Sequence, residues 1–199
     1  LRMKNLVDES QLRRANAALF RSSTTDALTT LKNRRCVFDA LALMCESAQS
    51  DDGAVACAII DLDNFKHYND TYGHPEGDRL LAAFGKRLTA LADEYGLTAG
   101  RIGGEEFMLI WRVTGDRDEA AMTGAMHAIP HMMPEPWQSE RAFSLSVGCC
   151  ALSGAALSHP DFLYASADRA LYHAKNTGRD RVCRLDPATD RVVTLEWDE

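Results

Sequence analysis

AVACAII, residues 54–60, followed at once by Asp61-Leu62-Asp63, is the stretch on which the fold turns. Both alternating faces of the run are apolar, so neither suits contact with water, and a short run of this kind predicts a central buried strand. Asp51-Asp52-Gly53 ahead of it reads as the turn that delivers it. The abrupt change to carboxylate is a second signal. Desolvating a charge is costly, and carboxylates rarely end a central strand without partners. One aspartate here is more often a helix cap than a ligand. Two of them, followed by Asn64, Phe65 and Lys66, point toward a cation site.

Downstream, residues 76–95 carry Leu80, Phe84, Leu88, Leu91 and Tyr95 at helical spacing. Residues 99–113, AGRIGGEEFMLIWRV, predict two strands meeting at Gly103-Gly104, a hairpin tip at which positive φ is cheap. A helix is expected over 116–129 and a strand over FSLSVGCC, residues 143–150. Pro160 and Asp161 open a last long helix with Leu163, Ala167, Ala170, Leu171 and Ala174 inward, and Gly178 closes it. RVCRL and RVVTLEW follow as edge strands, with a terminal hairpin as one arrangement. Upstream, residues 26–35 form a turn-like lead-in to a helix that places Phe38, Leu41, Cys45 and Ala48 on one side. Residues 5–24 predict a polar helix with Leu12, Ala15 and Leu19 on one face, which suits a solvated leader and a short two-stranded coiled coil equally. The sum is an α+β domain: one mainly antiparallel central sheet flanked by helices.

Composition sets the outer limits. The chain has 199 residues, 46% of them hydrophobic, enough for one cored domain with a short appendage. Twenty-two Lys and Arg against 29 Asp and Glu give a formal net charge of -7. That balance argues against a nucleic-acid-binding surface, while a local basic pocket for phosphate stays compatible with it. The six cysteines show no CxxC pairing and lie in apolar runs, which predicts buried free thiols in a reducing compartment, the cytoplasm. No apolar run approaches the roughly 20 residues of a membrane span, and no signal peptide is visible, so no membrane contact is expected of this fragment. A start at Leu1 rather than Met suggests a piece of something longer.

The candidate chemistry falls into three clusters. Asp61 and Asp63 are the first. The second is Gly103-Gly104-Glu105-Glu106, by itself an ordinary turn with a solvated rim. If the hairpin pairs beside 54–60, Glu105 can face Asp61, and two hard oxygen ligands plus phosphates make a Mg²⁺ site. The third is Lys175 and Arg179, one helical turn apart at the end of the last helix, where cations also serve as plain dipole partners. Between them, Asp78 reads as a helix cap or first-turn charge, and His74 as a satisfied loop histidine.

The same residues carry a dense resemblance to the GGDEF family of diguanylate cyclases. Five blocks stand in the family's order: residues 26–35, DLDNFKHYNDTYGHPEGDRLL (61–81), RIGGEEF (101–107), SLSVG (144–148) and ADRALYHAKNTGRDRV (167–182). The signature reads GGEEF. The resemblance implies a palm-like fold with a nucleotidyl-cyclase or ferredoxin-like core, and the condensation of two GTP into cyclic di-GMP and two pyrophosphates. It implies two Mg²⁺ ions per site, Mn²⁺ being a substitute, held by Asp61, Glu105 and the Leu62 carbonyl. Glu105 or Glu106 would help deprotonate the attacking 3′-hydroxyl. Asn69 and Asp78 would bind guanine, and His74 would line the pocket. Lys66, Lys175 and Arg179 would neutralise the triphosphate, with backbone N–H groups around Asn64, Phe65 and Lys66. Asp26, Asn33 and Arg34 fall in a lead-in motif of structural role.

Asp78 carries a selectivity argument of its own. Guanine's Watson–Crick edge offers two donors to one carboxylate, whereas adenine offers an acceptor at N1, leaving a mismatch of about 1–3 kcal/mol. The family branch that accepts ATP carries Ser at this place. A departure also stands out: the product-inhibition motif, Arg-x-x-Asp, is Glu94-Tyr95-Gly96-Leu97 here. The resemblance further implies a homodimer, since each domain holds one GTP, and an upstream sensor domain in the full-length protein. The organisation expected is a signalling or linker helix over 1–24, the catalytic domain over 25–184, and a tail or edge strand over 185–199. A catalytically idle GTP-binding sensor is the alternative; such members usually lose the signature carboxylates or Lys66, which this chain keeps.

Overall fold

The computed structural model describes residues 24–115, 124–126, 128–129, 132 and 143–195. The expected leader helix lies outside the described residues, as does most of the expected helix over 116–129, of which 124–126 and 128 are helical.

Six strands form one sheet in the order β2-β3-β1-β4-β5-β6. β1 (Ala54–Leu62) is central, with β3 (Glu106–Val113) on one side and β4 (Leu145–Ser153) on the other, both antiparallel to it. β2 (Thr98–Arg101) extends the β3 side as a hairpin. β5 (Arg181–Asp186) joins β4 in the sheet's single parallel pairing among the described strands, and β6 (Arg191–Leu195) closes that side as the second half of a hairpin. β5 thus runs across the boundary expected at 184–185, and β6 completes the sheet of the same domain. The expected strand over 143–150 begins at Leu145 and runs on to Ser153.

Alternation along these strands builds two cores. Ala56, Ala58, Ile60 and Leu62 of β1 face one way, with Phe107, Leu109 and Trp111 of β3 and Leu145, Val147 and Cys149 of β4. Helix α3 (His74–Tyr95) covers this face with Leu80, Leu81, Phe84, Leu88 and Leu91, and Phe84 meets Phe107 edge to face at 4.9 Å. Val55, Cys57 and Ile59 face the other way, under α1 (Arg34–Gln49) and α4 (Pro160–Asn176). Two covered faces explain why residues 54–60 show no polar alternation.

Gly148 on β4 sets how close α4 lies. A Cβ there would stand 2.0 Å from the Leu171 N and 2.3 Å from the Ala167 O, backbone that has nowhere to move. The six cysteines are free, five of them buried and Cys36 partly so; burial pushes the Cys57 thiol up and that of Cys149 to about 12. Buried and protonated, they behave as small apolar side chains.

A short helix, α2 (Phe65–Tyr72), was not legible in the sequence. It follows β1 at once and packs against the start of α3, with Gly73 alone between them at φ +87, where a side chain would be strained. α3 consequently begins at His74. On the far edge, the lead-in segment covers β2: Arg101 N–H donates to Lys32 O at 2.9 Å, and Lys32 N–H to Ala99 O at 3.3 Å.

Candidate active site at the ends of β1 and β3

Asp61 is the penultimate residue of β1, and its register partner on β3 is Glu106. Opposed residues of an antiparallel pair project to the same side. The sequence reading set Glu105 across from Asp61. The register places Glu106 there and Glu105 one step back in the turn, its carbonyl accepting from the Leu62 N–H at 3.3 Å. Three carboxylates are therefore gathered at one end of a buried strand.

Asp61 is only 6% exposed, and Lys175 of α4 donates from Nζ to its Oδ2 at 2.7 Å. Burial pushes its carboxyl up; Lys175 opposes this and Glu105 and Glu106 add to it, leaving it at about 6. This is a carboxylate held short of positive charge. The donor set is hard oxygen throughout: Asp61, the neighbouring Glu105, and the Leu62 backbone. Among the described residues no three His, Cys, Asp or Glu side chains cluster closely enough to enclose an ion unaided. A cation that keeps several waters and takes phosphate oxygens as further ligands fits such a site, and that is the habit of Mg²⁺.

Asp63 behaves differently from Asp61. Its side chain turns inward, 1% exposed, and accepts from Ser144 Oγ and Ser146 Oγ at 2.7 Å each and from the Asp180 N–H at 3.1 Å. The pair is thus not a two-aspartate cation site. Sequence reasoning missed the serines, although Ser144-Leu145-Ser146 offered a signal: hydroxyls two apart in a strand share a face.

The loop after β1 turns sharply at Asn64, at φ +60, and α2 starts with no side-chain cap. Its first N–H groups therefore lack the usual capping oxygen. Phe65 was expected at the substrate; its side chain is instead buried in the α3 core, leaving only its backbone at that loop. Lys66 is exposed beside it. Asn69 Oδ1 is a buried acceptor that meets no donor among the described residues, and it fits only because residue 77 is glycine: a Cβ there would lie 1.9 Å from it. His74 is the first residue of α3 and exposed, so it is not a loop residue. Asp78 is exposed and lies beyond the first turn, where Glu76 is the acid and Gly73 the cap position; it caps nothing.

The hairpin tip is held by arginine. Arg101 donates from Nε to Gly103 O at 3.1 Å and from Nη2 to Gly104 O at 2.7 Å, and its Nη1 meets Asp26 Oδ1 at 3.1 Å. Asp26 also caps the lead-in turn through the Thr29 N–H and hydroxyl. Neither signature glycine takes the positive φ expected of it; the left-handed glycines among the described residues are Gly73, Gly96, Gly154 and Gly178. A Cβ at residue 103 would stand 2.6 Å from Glu106 Oε2, so that carboxylate would have to swing aside. Arg34 ties the far side of the tip by donating to Ile102 O at 2.7 Å.

Lys175 lies in the last turn of α4, but α4 ends at Asn176, so Arg179 is not one helical turn further on. It sits in a turn whose Gly178, Arg179 and Asp180 have φ of +124, +61 and +48. For the two non-glycine residues such backbone costs about 1–2 kcal/mol each. Arg179 N–H bonds to Ala174 O at 3.0 Å, the 6→1 bond of a Schellman cap.

A six-stranded mixed sheet flanked by helices, with carboxylates where β1 meets the β2–β3 turn and Lys175 brought in by α4, is the α+β palm-like fold of nucleotidyl cyclases. The chain belongs to the GGDEF family: residues 23–181 match "Diguanylate cyclase, GGDEF domain". It is 46% identical over 100 residues to the diguanylate cyclase DgcP of Escherichia coli, covering 50% of this chain and 29% of that protein. It is 33% identical over 186 residues to the bifunctional diguanylate cyclase/cyclic di-GMP phosphodiesterase MucR of Pseudomonas aeruginosa, covering 92% and 26%. The chain thus spans under a third of the length of both relatives. The solved coiled coil and GGDEF domain of DgcB from Caulobacter crescentus, in complex with c-di-GMP, superposes with a TM-score of 0.74 at 26% identity, covering 91% of this chain and 95% of that one. Among the described residues no helix is long and apolar enough to cross a membrane.

Proposed function

We propose that this domain condenses two GTP into cyclic di-GMP and two pyrophosphates. The observation that carries the reading is the electron-rich end of β1, where a buried Asp61 faces Glu106 and neighbours Glu105, with Lys175 at 2.7 Å. Asp61, Glu105 and the Leu62 carbonyl would hold two Mg²⁺, or Mn²⁺ in their place. When bound, such ions neutralise charge developing on phosphate and acidify a coordinated hydroxyl.

The remaining roles belong to the chain. Asn69 Oδ1, a buried acceptor, suits guanine's amino donors, and Asp78 supplies a carboxylate for N1–H and N2–H. His74 would line the same nucleotide pocket. The uncapped N–H groups opening α2 suit phosphate oxygens, as do Lys66, Lys175 and Arg179. One domain binds one GTP, so two domains must face each other as a homodimer. Each 3′-hydroxyl then attacks the other nucleotide's α-phosphorus, its proton passing to Glu105 or Glu106, and the bond to pyrophosphate breaks. Residues 1–24 would connect this unit to an upstream sensor, and GTP as substrate places the reaction in the cytoplasm.

The test is product chromatography after incubation with GTP and Mg²⁺. Cyclic di-GMP should form, its yield per protomer rising with protein concentration, and Glu105→Gln should abolish it with an unchanged circular dichroism spectrum. Full turnover by Glu105→Gln would remove the metal assignment; no product from the wild-type dimer would remove the activity.

A further inference from the structure

We infer that Asp63 is a positioning residue that acts through Arg179, locking the turn that presents that guanidinium to the triphosphate; this rests on the GTP reading above. The two aspartates at the end of β1 divide the work. Asp61 faces the carboxylate cluster, while Asp63 faces the loop after α4.

The turn 177–180 has positive φ at three successive residues; Gly178 takes it freely, whereas Arg179 and Asp180 are strained by it. It persists because it is held from both sides. From inside, Asp63 Oδ2 accepts the Asp180 N–H at 3.1 Å, and Oδ1 lies 3.8 Å from Arg179 Nε. From outside, Arg181 folds back over it, donating from Nε to Arg179 O at 2.8 Å and from Nη1 to Thr177 Oγ1 at 3.4 Å. Gly178 takes φ +124, where a side chain would be strained, and a Cβ there would also push aside Arg181 Nη2 at 2.7 Å.

Asp63 is itself fixed. Ser144 and Ser146 donate to its two oxygens, one each, so the carboxylate cannot rotate away. The Asp63 N–H in turn bonds to Ser144 O at 3.0 Å, tying the loop after β1 to the start of β4. The result is a continuous polar path from the residue beside Leu62 to Arg179. Arg179 is half exposed, so its side chain can turn outward to a ligand while its backbone stays fixed. An amide at position 63 has one acceptor for these donors instead of two, and its NH₂ would oppose a donor.

Two readouts test this. The first is amide hydrogen exchange at Asp180 in the nucleotide-free protein: Asp63→Asn should speed it at least tenfold while amides in β1 and β3 keep their rates. The second is affinity for the α,β-methylene analogue of GTP, which cannot release pyrophosphate, measured with Mg²⁺ beside guanosine. Asp63→Asn and Arg179→Ala should each weaken the analogue about tenfold, the double variant no more than Arg179→Ala alone, and guanosine binding should not change. Should Asp63→Asn fold poorly, Ser144→Ala at the sheet's end serves: a smaller loss for the analogue, vanishing in the Arg179→Ala background. Additive losses, equal losses for guanosine, or unchanged Asp180 exchange would overturn the inference. A wild-type domain that ignores the analogue would instead overturn the GTP reading, with the exchange result still deciding the role of Asp63.

Discussion

Replacing Asp61 with asparagine should make the metal-free domain more stable while abolishing its response to Mg²⁺ and nucleotide. Asp61 is buried and its carboxyl lies at about 6 against 3.8 in an ordinary setting. At about 1.36 kcal/mol per pH unit, that gap is worth about 3 kcal/mol against the ionised form. The sign follows from linkage: between pH 3.8 and 6 the folded state binds the proton that the unfolded state has lost, so stability falls as pH rises through this window. Above it the penalty is fully in place. Asparagine removes the buried charge and its repulsion by Glu105 and Glu106, and loses the bond from Lys175, whose side chain is 32% exposed and can turn to water. Discounting for that lost pair leaves a net gain of about 1–2 kcal/mol at pH 7, or about 2–8 °C in melting temperature for a domain of this size. Melts of both proteins in EDTA at pH 7 and pH 4 measure it. The variant should lead at pH 7 and the curves should converge at pH 4, and only the wild type should gain stability from Mg²⁺ with the methylene analogue. A variant less stable at pH 7, or a difference independent of pH, would show that the Lys175 pair outweighs burial and that the reasoning is wrong.

Three further outcomes are expected. Asp78→Ser should narrow the preference for GTP over ATP by about 1–3 kcal/mol in a competition assay, since it removes the carboxylate that matches guanine's two donors; an unchanged ratio means the base is read elsewhere. Cyclic di-GMP should not bind with micromolar affinity outside the active site, as calorimetry on Glu105→Gln would measure, and Glu94→Arg with Leu97→Asp should create inhibition. Arg101, the nearest arginine following that motif in sequence, is spent on Asp26 and the Gly104 carbonyl. Gly148→Ala should cost about 3 kcal/mol or more by urea unfolding, because its methyl would meet α4 backbone at 2.0 Å; a loss under about 1 kcal/mol would mean the helix can lift freely.

Most of the scaffold was legible in the amino-acid sequence, along with a set of candidate site residues. Alternation and its absence are local properties, so residues 54–60 announced a doubly covered strand and 99–113 a hairpin. The expectation that Asp61, Glu105 and Lys175 come together rested on spacing and on the resemblance, and Lys175 does meet Asp61. What one dimension could not carry was register and direction. A one-residue step decides whether Glu105 or Glu106 stands across from Asp61, and only the paired strands fix that step. Asp61 and Asp63 look equivalent on paper; they divide because one meets Lys175 from α4 and the other meets Ser144 and Ser146 at the start of β4, all more than 80 residues away. The eight residues of α2 are too few to hold a helix in isolation, so their helix is decided by Phe65 entering the α3 core rather than by propensity. Arg179 likewise read as part of a helix, until Gly178 and the inward pull of Asp63 turned the chain left-handed. Local pattern chooses the elements, and long-range contact chooses where each charge points.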